Sequence, residues 1–182
     1  MLFRSVALAR VLAANGHKTL LLAWDGSGDE LASASGSAAT PGTAQLLDGA
    51  MSLEDVIQYL PGTTLEIITA GAATHRTAGP IDGDAAAMVL DALDEMYDFI
   101  LVCGRSDTTA ALFAAVQGRF DAGVLITDGP LAKVQNGTLP FLGFIIPDFP
   151  VIAISRSTAP TGLAVQIRPA AVPQRLKAAV RS

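Results

Sequence analysis

Three observations predict an α/β fold, a three-layer α/β/α arrangement around a mainly parallel sheet. Apolar runs without polar alternation recur at residues 18–24, 65–70, 99–103 and 122–127, as in strands buried on both faces of a parallel sheet. Between them lie segments with helical spacing and recognisable ends. The order is helix, strand, helix, strand, helix, strand, helix, strand, which is the alternation of a parallel α/β sheet. The 182 residues suit a single domain, 1–182, large enough to bury a core.

Composition narrows the function classes. About half of the residues are apolar and only 16% are charged, which excludes a disordered chain. The net charge of −5 argues against a nucleic-acid surface. A single cysteine excludes an internal disulfide, and no Cys/His spacing suggests zinc. No apolar run approaches the ~18 residues that a membrane span needs.

The elements follow in order. MLFRSVALARVLAANG superficially suggests a targeting peptide, but Arg10 breaks the apolar stretch of a secretory signal. An amphipathic transit peptide is the remaining alternative to a core helix over 3–15. That helix has Val6, Ala9, Leu12 and Ala13 on one face and Gly16 as its left-handed cap. The strand KTLLLAW ends in Asp25-Gly26-Ser27-Gly28, and the Ala/Ser/Gly-rich stretch 29–42 reads as a mobile loop. A short helix over 43–47 precedes another from an N-cap at Ser52 to about Leu60, stopped by Pro61-Gly62. Acidic Glu54 and Asp55 complement the dipole of that helix.

After the strand LEIITA comes a loop with His75 and Arg76. Next is a helix over 84–96 with Met88, Leu90 and Leu93 on its inner face. YDFILVCGR, residues 97–105, supplies the strand in the middle of an α-β-α unit, and a helix over 107–117 follows. Residues 128–140 read as loop. Residues 141–146 and 151–154 are two further strand candidates, too closely spaced for a parallel crossover and so antiparallel if paired. A terminal helix is expected over 172–181, with Pro173 in its first turn.

In open α/β sheets the chemistry lies beyond the carboxyl ends of the strands. At the end of the 99–103 strand the chain has Cys103-Gly104-Arg105, where a catalyst would want a carboxylate.

The succession SVALARVLAANGHKTLLLAWD, SLEDVI, LEIITAG, LDEMYDFILVCGRSD and AGVLITD resembles the MinD/ParA-type P-loop fold. Within it the chain is most similar to the cytoplasmic kinase domain of bacterial tyrosine kinases for capsule and exopolysaccharide export. The similarity runs over about residues 5–128. It implies a phosphate-binding loop ending in Gly-Lys-Ser/Thr just before Ser5, which would wrap the phosphates of ATP and bind magnesium. Phe3 and Arg4 stand at the lysine and hydroxyl positions, and the first strand and the glycines are missing from this sequence.

The resemblance also implies an Asp-x-Asp pair after the next strand; Ala23 replaces its first acid and Asp25 retains the second. Cys103 replaces the acid that ends the third strand, and the family's tyrosine-rich tail has no counterpart, since Tyr59 and Tyr97 are the only tyrosines.

These departures make the chain a degenerate, non-catalytic relative acting as an interaction or regulatory module. The family would use ATP and magnesium; for this chain neither is expected. The implied partner is a membrane-embedded polysaccharide chain-length regulator or kinase activator, with homo-oligomerisation open. The implied location is cytoplasmic, with a peripheral place at the inner face of the plasma membrane also open. The alternative is a fragment of an active tyrosine kinase, or of a MinD/ParA-like ATPase, whose phosphate loop lies upstream. Without a first strand, the strands at 98–103 and 121–127 would present unpaired edges, so the sheet either rearranges or takes a strand from a partner.

Each residue has two readings. Asp25 is a residual cofactor-binding acid or a solvated strand-end residue that caps the next turn. Cys103 is a thiol activated by the following helix or an inert buried one. Arg105 binds an anion at that helix start or is a surface arginine. Trp24 packs, or fills space a nucleotide would use. His75 and Arg76 are read as solvent-exposed, and His17 as a helix-end residue, where a cation is favoured.

Overall fold

The computed structural model describes residues 2–24, 29–74, 79–116, 118–127, 151–155 and 165–167. The chain forms two compact units, Met1–Val116 and Gln117–Ser182. In the first, the elements run α1 (Leu2–Ala14), β1 (Thr19–Ala23), α2 (Asp29–Ser35), α3 (Thr43–Leu47), α4 (Leu53–Val56), β2 (Gln58–Tyr59), β3 (Glu66–Ile68), α5 (Gly83–Asp94), β4 (Phe99–Cys103) and α6 (Ser106–Ala115). The strands form a sheet of order β2-β3-β1-β4. β1 runs parallel to both β3 and β4, and only β2 is antiparallel, against β3. The fold is therefore the mainly parallel α/β sheet that the alternation predicts.

α1 shows how the residues set this up. Val6, Ala9 and Ala13 recur at helical spacing and are buried together with Leu21 and Ala23 of β1. The helix stops at Gly16, whose φ of +86° a side chain would resist. The Gly16 N–H donates to the Ala13 carbonyl at 3.0 Å and the His17 N–H to Leu12 at 3.3 Å. That is the paired C-terminal cap expected there, and it turns the chain straight into β1.

Several expectations are corrected. Residues 29–35 are helix, not loop: Leu31 and Ala32 are buried on one side, and Gly36 at φ +70° ends the turn. Alanine's helix propensity outweighs the Ser/Gly composition there. The helix begun at Ser52 stops at Val56 instead of running to Leu60. Ile57 is already extended, and Gln58–Tyr59 pair with β3. β-branched Val56-Ile57 and the pairing with β3 favour strand. The start of that helix does carry a built cap, the Asp55 carboxylate accepting from the Ser52 N–H at 2.9 Å and its hydroxyl at 2.6 Å. On α5 the buried stripe is Ala86, Leu90 and Leu93, whereas Met88 points outward, 71% exposed. Residues 86, 90 and 93 follow the i, i+4, i+7 stripe, and position 88 falls off it.

β4 departs most from its sequence. Four of its five residues are only half-buried, and Cys103 alone is buried. The reason is its place: among the described residues it is the last strand of its sheet, so it lacks the second neighbour that a doubly buried strand has.

In the second unit β5 (Gly123–Thr127), β6 (Val151–Ser155) and β7 (Val165–Ile167) form a sheet in that order. β5 and β6 are parallel, with Gly123 level with Val151, and β7 is antiparallel to β6. β7 carried no sequence expectation. The strand expected at 141–146, the loop at 128–140 and the helix at 172–181 lie outside the described residues.

Candidate functional site

The carboxyl ends of β1 and β4 lie side by side. Their register is continuous from Thr19↔Phe99 to Ala23↔Cys103. The two positions at which the sequence lacks the expected acids are thus direct neighbours in the sheet. Both are buried, with exposures of 3% and 9%. The Trp24 N–H continues the ladder by donating to the Cys103 carbonyl at 2.8 Å, and the indole is itself 8% exposed. The end of this strand pair therefore places a methyl group and a thiol in the core cluster with α1, and a buried indole follows them in the chain.

The same end is closed on the β3 side. The Thr43 hydroxyl, buried at the start of α3, donates to the carbonyls of Ala23 (2.8 Å) and Thr69 (3.2 Å). The Thr43 and Ala44 N–H groups donate to the Thr69 and Ala70 carbonyls at 2.8 and 2.9 Å. Gly42 makes this possible, since a Cβ there would lie 2.2 Å from the Thr69 oxygen and 2.4 Å from the Gly71 nitrogen. Gln45 holds the approach, accepting from the Gly42 N–H at 3.0 Å and donating to the Ala72 carbonyl at 2.7 Å.

On the β4 side the chain turns through Gly104 into α6. The hydroxyls of Thr108 and Thr109 donate back to the Arg105 carbonyl at 3.0 and 2.8 Å. The Arg105 guanidinium engages Asp107, with Nε donating to Oδ1 at 3.1 Å. That bond holds the exposed Asp107 carboxyl below its usual range. Arg105 is thus satisfied by its own chain at the place where an anion-binding role was weighed.

Asp25 lies outside the described residues, as do His75 and Arg76. Phe3 and Arg4 lie in the first turn of α1. His17 meets the Phe99 ring edge-on, with centroids 4.9 Å apart.

A second cluster, at the amino ends of the strands, had no signal in the sequence. The Tyr97 hydroxyl donates to Glu66 Oε2, and Tyr59 stands level with Glu66 across the β2–β3 pair. Burial, then the hydrogen bond to Glu66, push the Tyr97 phenol well above its ordinary range, and the Glu66 hydrogen bond raises Tyr59. Lys18 Nζ lies 5.1 Å from the Tyr97 ring centroid, and the Lys18 N–H donates to Asp98 Oδ2 at 2.8 Å. Tyr97 and Glu66 are far apart in sequence, and only the parallel register brings them together.

No family model matches the sequence, and no curated protein matches it significantly. Solved structures do match. The VpsO kinase domain is 26% identical, with 76% of this chain and 71% of that chain covered and a TM-score of 0.59. The kinase domain of the Escherichia coli tyrosine kinase ETK is 20% identical over 72% of this chain and 52% of that chain, with a TM-score of 0.60. The septum site-determining protein MinD from Pyrococcus horikoshii, solved with Mg-ADP, is 22% identical over 78% of this chain and 60% of that chain, with a TM-score of 0.54. The chain spans 63% of the length of another match, the chimerical protein CapA2B2.

Parallel strands joined by helices, taken with these matches, make the fold one of the P-loop NTPase type. More narrowly, the fold is that of bacterial tyrosine kinase domains and MinD/ParA-type ATPases. Among the described residues no helix is long and apolar enough to cross a membrane.

Proposed function

We propose that the chain, read as one degenerate domain over 1–182, is a non-catalytic kinase-like module of exopolysaccharide or capsule export. It works on the cytoplasmic side as an interaction or regulatory partner of a membrane-embedded chain-length regulator. The kinase domains among the structural matches support the pathway. One observation carries the absence of catalysis: the register pair Ala23↔Cys103, both buried in the core cluster with side chains of α1.

Magnesium takes hard oxygen ligands and binds thiols poorly. A methyl group and a buried thiol do not fit it, whatever sequence precedes Met1. Phosphoryl transfer depends on positioning and on neutralising charge around the phosphates, and these two positions supply neither.

Isothermal titration of the full chain with Mg-ATP tests this. No saturable heat is expected up to millimolar nucleotide, with circular dichroism verifying that the sample is folded. A dissociation constant in the micromolar range would overturn the reading and favour an ATP-dependent enzyme instead.

A further inference from the structure

We draw no further inference here: the strongest candidate, the cluster of Tyr59, Glu66 and Tyr97 beside the amino ends of β3 and β4, rests, beyond the Tyr97–Glu66 bond already described, on raised phenol pKa values alone, with nothing among the described residues to show what would bind or modify it.

Discussion

β1 and β4 are adjacent strands of equal length and similar composition, TLLLA and FILVC, paired residue for residue. Yet every residue of β1 is at most 3% exposed, whereas most of β4 is half-exposed. β1 lies between β3 and β4; β4 has a described neighbour on one side only. An apolar run therefore specifies that a segment becomes strand, while burial is decided by how many strands flank it. The run at 99–103 is as apolar as that at 18–24, and both predict strands buried on both faces. Nothing local to a strand encodes its rank in the sheet.

The sharpest way to break this contrast is a matched pair of truncations. Leu21 is fully buried in the main cluster of α1, β1 and β3 side chains, and Leu101 packs only partly against it. Leu21→Ala should cost about 2–5 kcal/mol, as expected for a cavity in a packed core. Leu101→Ala should cost about 1–2 kcal/mol, because less of its surface leaves water on folding. Urea denaturation of both variants measures the difference. Equal costs would mean that the outer strand is as deeply buried as the inner one, and the contrast would fail.

What was legible in the sequence divides along the same line. α1 and its Gly16 cap, β1, α5, β4 and α6 all announce themselves through spacing and end residues within a few positions. α2 was missed because Ala and Ser were weighed as loop composition, although Leu31 sits where a buried helix face needs it. β2 was missed because two residues become strand only by pairing with β3. At the candidate site, Ala23 and Cys103 could be singled out as departures from a resemblance, but their adjacency is a product of register.

A second prediction tests whether the β1–β3 side is as tightly built as its hydrogen bonds imply. In Gly42→Ala the new Cβ would meet the backbone at Thr69 and Gly71, which has no flexible end to yield. The loop would have to shift and loosen the Thr43 bonds that close the carboxyl ends of β1 and β3. A loss of about 1–3 kcal/mol is expected, with faster amide exchange at Thr43 and Ala44. A neutral variant with unchanged exchange would show that this closure contributes little.

The smallest effect concerns how β4 is held at its amino end. Tyr97 is buried just before the strand, and its hydroxyl reaches past β1 to Glu66 on β3. The outermost strand is thus tied across its neighbour at one end, while its outer edge is open among the described residues. Tyr97→Phe keeps the ring and removes the tie, at a cost of about 1.5 kcal/mol for a hydrogen bond to a charged acceptor. Because the phenol's affinity for its proton is raised in the folded state, its contribution is complete below the unfolded value of about 10 and is lost as pH rises beyond that. Wild-type stability should therefore fall with increasing pH above about 10, more steeply than that of Tyr97→Phe, so that the gap between them closes. A gap that stays constant or widens with alkali would mean that the phenol does not carry its proton into the folded state. The anchoring of β4 would then rest on ring packing and the Lys18–Asp98 bond alone.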